Sequence, residues 1–329
     1  MTICNLLICG LAIANSSPQI IQVFIPTAAI NRIAQVQSLR VSQLSQFQAH
    51  NTSVLSVSFS PDGENLLTSS SNGSTKIWTR NAQQVIELKP DDSIIWSSKF
   101  SADGKQILTG AQDAIARLWS LEGKQITEFK GHTDWVNSVG VSPDGSLVLT
   151  ASSDRTAKLW NRQGKVIANF QGHKGIVWAA TFSPDGKLIA TAAADGTARL
   201  WNVNGQLIRE LKGHKDWVRA VAFSPNGKLI ATAASDGTAR LWNINGQLIR
   251  EFKGHTDVVR NVAFSPDGKY LATTSQDQTA RIWNLQGLEL AKLTGHTDWV
   301  IGLGFSPDGK SLATSSADFT VKIWALAEN

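Results

Sequence analysis

Residues 131–171 read GHTDWVNSVGVSPDGSLVLTASSDRTAKLWNRQGKVIANFQ, and Gly172-His173 then starts the same phrase again. Within this stretch Trp135–Val141 is rich in β-formers and closes on Ser142-Pro143-Asp144-Gly145, with Pro and Gly at the places a tight turn requires. Leu147–Thr150 is a second such run, ended by Ser153-Asp154-Arg155. Thr156–Trp160 is a third, ended by Arg162-Gln163-Gly164, and Lys165–Phe170 is a fourth. Short β-rich runs between breakers roughly ten residues apart describe an antiparallel meander. No helix of useful length fits between them.

The unit recurs. Trp78, Trp119, Trp160, Trp201, Trp242, Trp283 and Trp324 follow at 41-residue steps without an insertion. His132, His173, His214, His255 and His296 keep the step, and His50 stands two steps before His132, so all six histidines share one register. A four-stranded unit cannot cover both its faces alone, whereas stacked copies can, and this period marks a propeller blade. The prediction is an all-β, seven-bladed β-propeller of four-stranded antiparallel blades. The last copy stops just after Trp324, while Gln43–Gln48 matches fourth strands such as Leu207–Lys212. The N-terminal segment is therefore expected to close the last blade, which removes an open sheet edge.

Composition agrees with a large apolar core: 42% of residues are hydrophobic and 17% charged, and there are twelve Trp against one Tyr and one Met. Cys4 and Cys9 are the only cysteines, so the repeats carry neither a disulfide framework nor a cysteine metal site. The net charge of +5 is weak support for a nucleic-acid partner. Residues 1–37 form a separate tail whose first charge is Arg32. Its apolar run Ile3–Ile13 is too short to span a bilayer and has no basic flank. A cytoplasmic protein is expected, with export or membrane association through residues 1–37 as the alternative. Ile30, Ile33, Val36 and Leu39 are spaced for a short helix leading into the closing strand.

The phrases G-H-T-D-W-V (131–136), F-S-P-D-G-K (182–187) and D-G-T-A-R-L-W-N (195–202) resemble the WD40-repeat β-propeller family, in its bacterial type with near-identical repeats. The resemblance runs from about Gln43 to the C-terminus. The W-D dipeptide itself is missing, since Trp is followed by Asn four times and otherwise by Thr79, Ser120 or Ala325. The family implies a buried relay from Trp through Thr and His to Asp in each blade. In the third copy these are Trp160, Thr150, His132 and Asp154. A set copied this often is structural, not a hydrolytic triad. The first copy has Asn72 in the Asp place, and the second has Asp91 where His belongs, so both are expected to lack the complete relay. A basic residue two positions before each Trp is expected to pack between blades and pair locally.

The family's binding surface usually lies on the face of the G-H loops and D-G turns. Positions fixed in all copies serve the blade; positions that vary there are free to serve a partner. Three after His stand Trp135, Trp217 and Trp299; five after His stand Trp96, Trp178, Arg219, Arg260 and Ile301; Phe319 follows the last turn Asp. These nine residues are the expected partner-binding set, because aromatic and Arg side chains dominate interface energies. The competing reading is that the Trp residues simply plug the channel mouth. The expected function is a protein–protein interaction scaffold without catalysis or cofactor, a monomeric propeller binding a protein or peptide with an apolar anchor and acidic flanks. Alternatives are a regulatory or sensor propeller of a larger signalling assembly, a nucleic-acid binder, or a channel-mouth enzyme using Asp134, Asp216, Asp257 and Asp298. No P-loop and no G-x-S-x-G motif is present.

Overall fold

The Ser-Pro-Asp-Gly turns fold as their residues dictate. In the third blade Gly145 N–H donates to Ser142 O at 2.8 Å, and the Asp144 carboxylate accepts from Ser146 N at 3.0 Å. Gly145 sits at φ +74°, where a side chain is disfavoured. A second constraint holds at Gly164 (φ +81°), whose added Cβ would lie 2.5 Å from Glu128 O of the preceding blade.

The computed structural model describes residues 39–88 and 93–328. It contains seven four-stranded antiparallel sheets, six of them sequential meanders from the inside outward and the seventh completed by an N-terminal strand. The third is Val136–Val141, Leu147–Ser152, Ala157–Asn161 and Val166–Phe170. Innermost strands touch their neighbours in both directions round the ring, and Val54–Phe59 of the first blade touches Val300–Phe305 of the seventh. Closure follows the expected route but is longer than Gln43–Gln48. Leu39–Gln48 pairs with Thr320–Glu328 along its length, from Leu39 opposite Glu328 to Gln48 opposite Thr320. Leu39 is thus a strand residue. The rest of the expected helix, and the whole tail 1–37, lie outside the described residues.

Second strands such as Leu188–Ala193 and Leu229–Ala234 are buried on both faces, and their Ala and Thr residues let adjacent sheets approach closely. One apolar cluster fills each blade junction. Trp201 of the fourth blade packs on Leu149, Leu159 and Phe170 of the third, and meets Phe170 edge-on at a centroid distance of 5.8 Å. Seven copies of one tryptophan therefore form seven inter-blade contacts. The twelve-Trp composition reflects this packing need more than chemistry.

The basic residues before these tryptophans face the outer strand. Arg199 reaches Glu210 at 3.2 Å, Arg240 reaches Glu251 at 2.9 Å and Arg117 reaches Asp113 at 2.6 Å. Arg281 likewise reaches Glu289, whereas Lys158 and Lys322 donate to the neutral amide oxygens of Asn169 and Gln46, so all four arginines of this position are matched by carboxylates.

Candidate partner-binding site

The relay is built in blades three to seven. In the fourth, Trp201 Nε1–H donates to Thr191 Oγ1 at 2.9 Å, Thr191 lies 2.8 Å from His173 Nε2, and His173 Nδ1 lies 2.9 Å from Asp195. With the carboxylate accepting the Nδ1 proton, Nε2 accepts the threonine hydroxyl, and every buried polar atom in the line is satisfied. Burial alone would raise the Asp195 carboxyl, but hydrogen bonds from His173, Thr197 and the Lys174 N–H hold it well below the ordinary carboxylate range. The same balance applies to Asp154, Asp236, Asp277 and Asp318. The histidines have no open side from which to act on a substrate.

The first blade lacks the carboxylate, as expected, but continues the line by another route. His50 Nδ1 meets Ser74 Oγ at 2.8 Å, and Ser74 donates to Asn72 Oδ1 at 2.9 Å, while Thr68 and Trp78 keep their usual bonds. A serine hydroxyl and an amide replace the carboxylate. Burial, then the charge of Lys76, pulls the His50 imidazole down to about 3. In the second blade Trp119 still donates to Thr109 at 2.9 Å, but no histidine exists to continue the line, and Asp113 turns to Arg117. Asp91 lies outside the described residues.

On the face formed by the G-H loops, backbone irregularity explains why one position is free to vary. Every innermost strand carries a register shift at its second residue. Val177 pairs with Ala193 and Ala179 with Ala192, which leaves Trp178 unpaired. The same shift leaves Leu55, Trp96, Asn137, Arg219, Arg260 and Ile301 unpaired in the other blades. Such a bulge re-aims a side chain out of the ladder. All seven of these side chains line the central channel, a space of about 560 Å³. The position is fixed by geometry while its chemistry is left open.

Trp135, Trp217 and Trp299 stand outside this ring at 38%, 44% and 44% exposure, and each meets the bulge residue of the preceding blade. Trp135 stacks on Trp96 with centroids 5.4 Å apart. Trp217 lies 6.1 Å from Trp178, and the Arg219 guanidinium sits over both rings, at 4.7 and 4.6 Å. Arg260 lies 5.2 Å from the Trp299 ring. Three clusters therefore bridge blades two and three, four and five, and six and seven. Burial, then repulsion from Arg260, lowers the Arg219 guanidinium to about 10, and burial also lowers Arg260. Arg219 Nε donates to Ser235 Oγ at 2.9 Å, whereas Arg260 Nε and the indole N–H groups of Trp96 and Trp178 are buried without a partner.

The structure thus brings eight of the nine expected residues to the mouth or its rim, with half-buried Ile301 in the lining. Phe319 is separate. It is 40% exposed in the outer turn of the last blade at φ +72°, and it does not line the channel. Asp134, Asp216, Asp257 and Asp298 each accept the N–H of the following residue, at 2.6 to 2.8 Å. Among the described residues no three acidic, histidine or cysteine side chains converge on a possible metal position. One channel residue escaped the sequence reading: Lys99, eight positions beyond the His place of the second copy. Comparison of that column would have revealed it, because the other copies carry Ser58, Gly140, Thr181, Ala222, Ala263 and Gly304 there.

A closed ring of seven meandering sheets, each with a Trp–Thr pair and most with a His–Asp continuation, defines a WD-repeat propeller. Residues 22–202 match a family model described as IFT122 first beta-propeller, and residues 205–243, 246–284 and 287–325 each match the WD domain, G-beta repeat. The chain belongs to the WD40 β-propeller family. No curated protein matches it significantly. Propellers of this family are generally non-enzymatic scaffolds that bind proteins or peptides.

Proposed function

We propose that this propeller is a non-catalytic binding platform that engages a protein or peptide on the face of the G-H loops, at the channel mouth. The observation that carries this reading is the ring of bulge residues. It presents Trp96, Trp178, Arg219 and Arg260 on a rigid frame, with Trp135, Trp217 and Trp299 as a half-exposed rim. Cation–π contact holds Arg219 in place before any partner arrives, which lowers the entropy cost of binding. The partner is expected to bring an apolar anchor for the indoles and acidic groups for the arginines.

The bulge side chains are not part of the ladder, so they can be removed without unfolding the blade. A phage-displayed random peptide library panned on the wild type should yield a convergent motif. The double variant Trp178→Ala, Arg219→Ala should lose at least about 30-fold in affinity for it, the size of a hot-spot loss. Its circular dichroism and melting temperature should remain those of a folded propeller. Unchanged affinity in a folded double variant would remove this face from the proposal.

A further inference from the structure

The channel lining is unbalanced in charge. Among the described residues it contains Arg219, Arg260 and Lys99 and no Asp or Glu. Among the described residues Arg219 and Arg260 make no ion pair; Asp216 and Asp257 act on them only at longer range. Among the described residues the Lys99 ammonium likewise makes no ion pair or hydrogen bond. Its side chain is open to the solvent of the bore yet surrounded by protein, and burial depresses its pKa. Unpaired cations enclosed by low-dielectric walls repel one another and focus a positive potential along the bore.

Their spacing is informative. Lys99 stands three positions beyond the bulge residue Trp96 in its strand, whereas Arg219 and Arg260 are themselves bulge residues. The lysine therefore lies about 10 Å deeper, three residues of extended backbone. Small residues such as Gly140, Ala222 and Ala263 share its level and leave the bore open.

Resting on the channel-mouth reading above, we propose that the bore receives the acidic C-terminal segment of a polypeptide. The terminal carboxylate meets Lys99, and an acidic side chain three residues earlier sits between Arg219 and Arg260. An extended peptide has the same rise per residue as the strand beside it, so three residues on the strand correspond to three on the ligand. The indoles of Trp178, Trp217 and Trp299 flank the mouth, and their partnered guanidiniums keep edge N–H groups for a carboxylate.

The test uses random heptapeptides displayed with free C-termini, panned on the full chain. Enriched sequences should carry Asp or Glu at the fourth position from the end. A synthetic peptide of the enriched sequence should bind about tenfold more weakly when its C-terminus is amidated, the scale of one charged hydrogen bond. In Lys99→Met, and equally in Lys99→Gln, the acid and the amide should bind alike. In Arg260→Gln, replacing the acidic side chain of the peptide by Ala should cost clearly less than in the wild type, since only Arg219 remains to meet it. Such paired losses isolate the contact from any general effect on the fold. Enrichment without an acidic preference, or an amidation penalty that survives in both Lys99 variants, overturns the proposal. If only these arms fail while Trp178→Ala, Arg219→Ala still abolishes binding, the mouth reading stands without the bore. If no sequence is enriched, both fall.

Discussion

Replacing Thr191 by Val removes one hydroxyl from the fourth blade and leaves no cavity, because the two side chains have nearly the same shape. Thr191 accepts from the indole of Trp201, 2% exposed, and bonds the ring of His173, 6% exposed, so the change strands two buried polar groups. Each costs about 1–3 kcal/mol when left unsatisfied, giving about 2–6 kcal/mol together. Thr109 in the second blade is the internal control. It accepts from Trp119 at 2.9 Å but has no histidine to serve, so Thr109→Val should cost only the indole share, about 1–3 kcal/mol. For a domain of this size each kcal/mol moves the melting temperature by about 2–4 °C. Thermal unfolding followed by near-ultraviolet circular dichroism should therefore place Thr191→Val below Thr109→Val by at least about 2 °C. Urea unfolding should give the same order. Equal losses, or a larger loss in the second blade, would refute the view that the relay acts as one connected line.

Other outcomes follow from the same geometry. Amide hydrogen exchange should be faster in the second blade than in the fourth, and equal protection would count against a shortened relay as a source of softness. Because His50 titrates near 3 when folded against 6.5 unfolded, the unfolded chain binds more protons between these values. Its contribution to stability is complete above about pH 6.5 and declines by about 1.4 kcal/mol per unit below it. The five low-titrating carboxylates are lost further down, below about pH 4. In His50→Gln the fall in stability from pH 6 to pH 4 should be shallower than in the wild type, whatever its absolute level; parallel curves would exclude a neutral buried His50. Phe319 holds a left-handed conformation that the same turn position gives to Gly73, Gly196 and Gly237, and also to Ala114, Arg155 and Gln278. Phe319→Gly should leave stability unchanged or raise it by up to about 1 kcal/mol. A clear loss would show that the phenyl ring is packed after all.

The ring was legible because one tryptophan must fill each junction, and a requirement repeated seven times leaves a period that needs no alignment. Which residues vary on the face of the G-H loops was legible too, since copies within a single chain can be compared with each other. Why they vary was not. Trp178 and Arg219 look like ordinary strand residues in the sequence, and only the register shift beside them explains how they leave the ladder. Ser74 was missed for a related reason: hydroxyls at that position look like turn residues until the imidazole of His50 is seen against one. Lys99 was hidden by its strand context, because nothing local distinguishes a side chain facing the bore from one facing bulk solvent.

The closing strand also sets a timetable. Lys322 Nζ donates to Gln43 Oε1 across 279 residues of chain. At translation speeds of about 5–20 residues per second, Leu39–Gln48 waits roughly 15–60 s on the ribosome for the strand that will pair with it. An apolar strand held that long would invite intermolecular pairing. This one alternates instead, with Arg40, Ser42, Gln46 and Gln48 interleaved among its few apolar residues. Its polarity suits the nascent chain as much as the finished ring.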